Sequence, residues 1–196
     1  MPVRIPGVRG KGGASPADLI LEHIELCREN VKTIERIATH QKKREMRNEI
    51  NKRIRACNNL LGMTSGSRRF GHIYRETDLQ KGEKLVSEHV IPVSELTSLY
   101  ENGVPLEELI FYPIALISNA SNTLLNKRGL NRSRKDRSKP FSRYLEAGIK
   151  VESHLGREVE TKTWGMADHW DLINKTPELA NIMDAVYSRS LSHKSH

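Results

Sequence analysis

With 196 residues, of which 37% are hydrophobic and 29% charged, the chain is long enough for one ordinary domain or a small domain with a helical appendage. No apolar run approaches the ~20 residues that a membrane span requires, and the N-terminus lacks the apolar stretch of a secretory signal, so we expect a cytoplasmic protein without membrane contact. The net charge of +8 favours a polyanionic partner. The two cysteines, Cys27 and Cys57, form no CxxC pair, which argues against a structural zinc site and a disulfide framework.

The N-terminal residues 1–14 have the composition of a flexible basic arm, with three basic side chains and five glycines or prolines before Gly13. Such an arm either lies along DNA or has no role. A helix is predicted to begin directly after it. Ser15 can cap this helix, Pro16 suits its first position, and Asp18 places an acid in its first turn.

The helical region 15–62 carries an apolar seam that steps by four and three residues, the spacing of a helix–helix contact. Its members are Ile20, Ile24, Cys27, Val31, Ile34 and Ala38 and, out of phase after a polar run, Met46, Ile50, Ile54, Cys57 and Leu61. The seam fits either a bent continuous helix or an antiparallel hairpin that turns near residues 39–44. Either form could pack on a second copy, so we expect a homodimer. The basic run 42–55 is either a solvated helix face or a phosphate contact.

The segment 63–148 mixes short strands and helices and is predicted to form the core of the protein. A loop at 62–69 marks its boundary. The predicted elements are a strand at 70–75, a strand ending at His89, helices at 94–100 (N-cap Ser94) and from 105, a strand at 114–117, a helix at 119–127 (N-cap Ser118) and a helix at 141–147 closed by Gly148. The extension 149–196 is mainly helical, with a break at 175–177 and a frayed end. The expected fold class is therefore α+β and mainly helical.

Within this core, the end of one strand and the start of one helix carry side chains suited to phosphodiester hydrolysis. That reaction requires a positioned water, stabilised charge on the phosphoryl and leaving oxygens and, usually, a hard divalent cation. His89 can take the proton of the water, because the ordinary pKa of histidine, ~6.5, lies near working pH. Glu88 offers a hard anionic oxygen, and Asn119, Asn122 and Asn126 offer neutral ones on one helical face, which suits Mg²⁺ or Mn²⁺. The alternative is a structural Glu-His pair beside a helix cap.

Two segments of this core carry a resemblance to a known family. Ser87-Glu-His-Val-Ile-Pro92 resembles the first motif of the HNH family of nucleases, in which an acidic residue and a histidine precede two apolar residues and a proline. Residues 114–122 resemble the second strand and the helix start of the same ββα-metal fold, with Ser118 and Ser121 where many members have zinc-binding cysteines. The resemblance covers residues 84–130.

The resemblance implies a metal-dependent nuclease core in which His89 is the general base and Glu88 a metal ligand. It implies Asn122 as the distal ligand, with Asn126 as the second choice, and Mg²⁺ or Mn²⁺ as the cofactor. The family also has a middle asparagine that braces the loop and the histidine, and here that position falls near Pro113-Ile114.

A strongly basic run follows the predicted metal helix, with eight basic residues and one acid between positions 127 and 143. Five of them are predicted to bind phosphates: Arg132, Arg134, Lys135, Arg137 and Lys139. Our leading hypothesis is a DNA endonuclease of restriction, homing or phage type that acts on double-stranded DNA. The alternatives are a non-catalytic DNA-binding protein, in which Glu88 and His89 are structural, and an RNA-cleaving toxin.

Overall fold

The N-terminal region forms a pair of long helices. The computed structural model describes residues 15–36, 39–61 and 73–193. Helix α1 spans Pro16–Ile34 and begins with the predicted cap, in which the Ser15 hydroxyl accepts from Asp18 N and the Asp18 carboxylate accepts from Ser15 N. Helix α2 spans Thr39–Leu60, so the chain turns between residues 34 and 39, slightly earlier than the predicted 39–44.

These two helices pack against each other as an antiparallel hairpin. Asn30 Nδ2 donates to Glu49 Oε1 at 2.8 Å, and Arg53 Nη1 lies 3.3 Å from His23 Nδ1, so early residues of α2 meet late residues of α1. The described seam residues are all buried: Ile20, Ile24, Cys27, Val31, Ile34, Met46, Ile50, Ile54, Cys57 and Leu61. The hairpin is therefore correct and the bent helix is wrong. The apolar seam is buried between α1 and α2 of the same chain, so it does not provide a contact surface for a second copy. The homodimer stays a prediction.

A small mixed sheet follows the hairpin. Its strands are β1 (Tyr74–Glu76), β2 (Leu85–His89), β3 (Ile114–Ser118) and β4 (Val151–Ser153), in the order β2-β3-β1-β4. Strand β3 pairs antiparallel with β2 and parallel with β1, and β4 pairs antiparallel with β1. Strand β1 covers the last two residues of the predicted strand at 70–75 and extends to Glu76, whereas Ile73 lies outside it and residues 70–72 are not among the described residues.

Helices surround this sheet, which confirms the mainly helical α+β class. They are α3 (Val93–Glu101), α4 (Leu106–Leu109), α5 (Asn119–Lys127), α6 (Ser142–Ala147), α7 (Met166–Asn174) and α8 (Pro177–His193). Ser118 caps α5 and Gly148 ends α6 with a φ of 74°, as predicted. The N-cap of α3 is Pro92 and not Ser94, whose hydroxyl instead donates to Arg132 O at 2.6 Å.

Some sequence predictions lie outside the described residues: the basic arm at 1–14, the boundary loop at 62–69 and the last three residues of the end predicted to be frayed, 190–196, whose first four residues belong to α8. Among the residues that are described, no helix is both long enough and apolar enough to cross a membrane.

A carboxylate ties the start of α5 to the neighbouring strand. Glu76 Oε2 accepts from Ser118 N at 2.7 Å, and Glu76 Oε1 accepts from Ser121 Oγ at 2.6 Å. The Ser118 hydroxyl in turn accepts from Ser121 N at 3.0 Å. An acid at a helix N-terminus satisfies donors that the helix itself leaves unpaired and complements its dipole. Glu76 thereby fixes the helix that carries Asn122 and Asn126.

A buried polar network joins the far side of the sheet to α7. Trp164 Nε1 donates to Tyr74 Oη at 3.3 Å, and His169 Nε2 donates to Phe111 O at 2.7 Å. Because its Nε2 carries the proton, neutral His169 accepts from the Tyr74 hydroxyl at Nδ1, over 2.9 Å. Burial lowers the pKa of His169 from 6.5 to about 4, against the opposing effect of the hydrogen bond to Phe111.

We expect this histidine to make the protein less stable in mild acid. The unfolded chain binds a proton at His169 below the ordinary pKa of 6.5, whereas the folded chain does so only near 4. The contribution is therefore complete above pH 6.5 and is lost as the pH falls towards 4. Between about pH 7.5 and about pH 5 the loss amounts to roughly 2 kcal/mol.

Urea unfolding of the wild type and of His169→Gln at both pH values measures this effect. Glutamine does not titrate, so the free energy of unfolding of the variant should depend less on pH by that amount. The other histidines are present in both proteins and cancel in the comparison. An identical pH dependence of the two proteins would contradict the assignment.

Candidate functional site

Strands β2 and β3 bring the predicted catalytic pair to one end of the sheet. In their antiparallel register Glu88 lies opposite Ala115, and His89 lies opposite Ile114. Helix α5 begins directly after β3, because Ser118 is both the last residue of the strand and the cap of the helix. The chain thus forms a strand, a helical connection, an antiparallel strand and a helix, in that order.

A polar cavity of about 360 Å³ opens at this place. It is lined by four residues predicted from the sequence, namely Glu88, His89, Asn122 and Asn126. Asn119, the first of the three asparagines on the helical face, is exposed and is not part of the lining. The sequence prediction therefore selected residues that are far apart in the chain and that share one cavity in the structure.

His89 is the most buried of the four predicted residues that line this cavity. His89 is only 4% exposed. Its Nε2 is buried and has no hydrogen-bond partner among the described residues. Burial lowers the pKa of His89 from 6.5 to about 3, and the charges of Arg55 and Arg143 add to this effect. The imidazole is therefore neutral at neutral pH, and its buried Nε2 is unpaired although the residue lines the cavity. Asn58 Oδ1 and Tyr144 Oη are also buried without a partner among the described residues, so this property is not particular to the cavity.

The carboxylate of Glu88 forms an ion pair with a fully buried arginine, Arg143. Arg143 Nη2 donates to Glu88 Oε1 at 2.7 Å, and the Arg143 side chain has no exposed surface, while that of Glu88 is 21% exposed. The same guanidinium donates to Val90 O at 3.0 Å, to Leu130 O at 3.1 Å and to His89 O. One side chain thus fixes the carboxylate, the backbone of the histidine and the loop after it.

Sequence reasoning missed this role of Arg143, which it had only counted among the basic residues. The sequence does contain a weak indication that Arg143 is buried. Arg143 lies between Phe141 and Tyr144, both fully buried, in a six-residue helix. An arginine on the apolar face of a short helix indicates a buried charge that needs partners. Arg143 braces the His89 carbonyl and the loop after it, the two features for which the sequence resemblance predicted a middle asparagine.

The oxygen donors of the cavity fit a hard divalent cation. Glu88 supplies a carboxylate, and Asn122 and Asn126 lie one helical turn apart, the former half-buried and the latter exposed. Among the described residues no group of three or more His, Cys, Asp or Glu side chains could hold a metal. Any cation here would thus be bound by one carboxylate, by amide oxygens and by water, which suits Mg²⁺ or Mn²⁺ better than a thiolate-preferring metal.

The basic run 127–143 contacts α3, and its residues lie in different environments. Arg132 is exposed and lines the cavity. Arg134 is 7% exposed and forms a buried ion pair with Glu95 at 2.9 Å, so its predicted phosphate contact is wrong. It also donates from its backbone N to Glu95 Oε1 and from Nη1 to Lys139 O. The pair anchors the run instead of contacting a ligand.

The other three predicted phosphate contacts lie away from the cavity lining. Lys135 is exposed and pairs with Glu146 at 2.6 Å. Arg137 is exposed and Lys139 is half-buried. Their role in binding nucleic acid stays a prediction.

Two arginines from the N-terminal hairpin complete the cavity. Arg47 and Arg55 of α2 are exposed and line it together with Arg132. The sequence alone did not distinguish between a solvated face and a phosphate contact for the basic run 42–55. That choice depends on the packing of the hairpin beside α3 and the end of β2, which the sequence does not show.

Comparisons of the chain with protein-family models, with curated proteins and with solved structures found no match. Function is therefore inferred from the chemistry of the site, since a fold by itself does not define an activity.

Proposed function

We propose that the protein is a metal-dependent endonuclease that hydrolyses phosphodiester bonds of double-stranded DNA at the cavity formed by Glu88, His89, Asn122 and Asn126. The observation that carries the proposal is that Glu88 and His89 at the end of β2 and Asn122 and Asn126 on α5 line one cavity together with three arginines. The HNH-like pattern of these residues supports the same reaction class.

Each residue has a task in this reaction. His89 accepts the proton of the attacking water as a neutral imidazole, although burial makes it a weaker base than the ordinary histidine expected from the sequence. Arg143 keeps Glu88 and the His89 backbone in place, so that neither group must reorganise when substrate binds. Glu88 with Asn122 or Asn126 would hold Mg²⁺ or Mn²⁺, which when bound stabilises charge on the phosphoryl and leaving oxygens.

A nucleic acid is the favoured class of substrate because the chain carries a net charge of +8, and three guanidinium groups line a cavity whose one carboxylate is paired. The choice of double-stranded DNA rests on the HNH-like pattern. A phosphodiester is anionic, so this excess of positive charge favours its approach.

Incubation of the purified protein with supercoiled plasmid DNA tests the proposal. We expect nicking or linearisation with Mg²⁺ or Mn²⁺, its loss with EDTA, and its return when the metal is added in excess. Cleavage of RNA but not of DNA would favour the toxin. Binding of DNA without cleavage of either polymer under any of these metals would overturn the nuclease in favour of the non-catalytic DNA-binding protein.

A further inference from the structure

We propose that α2 is the element that binds the nucleic-acid backbone, with Arg47 and Arg55 holding phosphate groups at the mouth of the cavity together with Arg132. This inference rests on the proposed function for the identity of the ligand, but it concerns binding and not chemistry. It assigns to the N-terminal hairpin a ligand-binding role, and it favours a phosphate contact over a solvated face for the basic run 42–55.

The position of the two arginines on α2 supports this role. They are eight residues apart, which is about two helical turns and ~12 Å along the axis. The buried residues of α2, Met46, Ile50, Ile54 and Cys57, face the hairpin interior, and both arginines are exposed. Despite their separation, both side chains line the same cavity as Glu88 and His89. An arginine side chain is long enough for two such residues to reach one stretch of backbone.

The charge balance of the cavity points to an anion. No carboxylate forms an ion pair with Arg47, Arg55 or Arg132 within residues 15–36, 39–61 and 73–193. Arg55 donates from Nε to the neutral amide of Asn51 at 3.1 Å, a contact that orients the guanidinium without neutralising it. The one carboxylate of the lining, Glu88, already pairs with Arg143.

The chemistry of these groups narrows the ligand class to phosphate. A guanidinium presents a planar fork of donors that matches two phosphate oxygens, and it stays charged at every working pH. Three such groups around one cavity are therefore suited to a polyanion with regularly spaced phosphates. By contrast, Arg134 and Lys135 of the basic run have carboxylate partners, Glu95 and Glu146. The hairpin therefore adds two unpaired charges, those of Arg47 and Arg55, to the one that Arg132 of the run contributes to the cavity.

Fluorescence anisotropy with a labelled DNA duplex tests this inference, in EDTA so that no cleavage occurs. The variants are Arg47→Gln, Arg55→Gln and the double substitution. The matched control is Lys52→Gln, because Lys52 is an exposed residue of the same helix, loses the same charge and is not part of the cavity lining. All three side chains replaced are exposed, and melting temperatures check that the proteins fold alike.

We expect each arginine variant to raise the Kd by about 3- to 10-fold and to reduce the slope of log Kd against log salt by about 1, with the double variant additive. Lys52→Gln should stay within about twofold of the wild type. Arginine variants that bind and depend on salt as the control does would overturn the inference.

The two proposals fail in distinguishable ways. Weaker DNA binding by the arginine variants, in a protein that cleaves nothing with Mg²⁺ or Mn²⁺, would keep the phosphate site and remove the nuclease. Metal-dependent cleavage by a protein whose arginine variants bind and cut as the control does would keep the nuclease and remove the phosphate site.

Discussion

Replacing His89 with alanine is expected to reduce the rate of metal-dependent DNA cleavage by about two to four orders of magnitude, the contribution typical of a positioned general base. The imidazole is neutral, and its Nε2 has no partner in the described part of the chain. Alanine removes the proton acceptor while leaving Glu88, Arg143 and the asparagines in place. The measurement is the initial rate of plasmid nicking with Mg²⁺ or Mn²⁺ at neutral pH.

Two controls separate loss of catalysis from loss of structure or binding. Anisotropy in EDTA should give the variant a DNA affinity near that of the wild type, because His89 is not one of the charged groups of the cavity. His23→Ala is a matched histidine variant, since His23 lies on α1 and contacts Arg53 outside the cavity. It should cleave as the wild type does. Cleavage by His89→Ala at the wild-type rate would exclude His89 as the base.

Replacing Arg143 with methionine is expected to lower the free energy of unfolding by about 3–5 kcal/mol, the usual cost of removing one partner of a buried ion pair. Methionine has a similar length but no donor. It leaves Glu88 without its partner and the carbonyls of His89, Val90 and Leu130 without the guanidinium. Urea unfolding followed by circular dichroism measures the change.

Arg143→Lys keeps the charge but not the fork of donors, because an ammonium cannot serve four acceptors in this geometry. We expect it to be destabilised less than Arg143→Met, and to be the variant in which activity can be read if the methionine protein unfolds. Its cleavage rate should fall while its DNA affinity in EDTA stays close to the wild type, since Arg143 has no exposed surface. A loss of less than about 1 kcal/mol for Arg143→Met would contradict the bracing role.

Local chemistry explains which parts of the fold could be predicted. Caps at Ser15, Ser118 and Gly148 depend on residues within a few positions, and all three were predicted correctly. Ser94 was assigned wrongly because a serine near a helix start is usually a cap, whereas here Pro92 takes that position and the Ser94 hydroxyl binds Arg132 O. The Glu88 and His89 pair with Asn122 and Asn126 was predictable because one strand end and one helix face carried them.

The features that could not be predicted depend on contacts between residues that are far apart in the chain. The apolar seam fits a bent helix and a hairpin equally well, and only the packing of α1 on α2 distinguishes them. Within the basic run Arg132 and Arg134 look equivalent, but Glu95, 39 residues before Arg134, takes the latter into a buried ion pair. In the same way Arg143 finds its partners on β2 and in the loops beside it, more than fifty residues earlier for Glu88.

The hydrogen bonds of the Glu76 carboxylate affect how experiments with chelators are interpreted. It fastens the helix of the two asparagines to strand β1 through hydrogen bonds from Ser118 and Ser121. Such a fastening contains no metal and no thiol, so neither EDTA nor a change of redox conditions acts on it. Addition of EDTA should therefore stop turnover without moving the melting temperature by more than the small contribution of cation binding, and inhibition by chelator can be read as a property of the reaction instead of the fold.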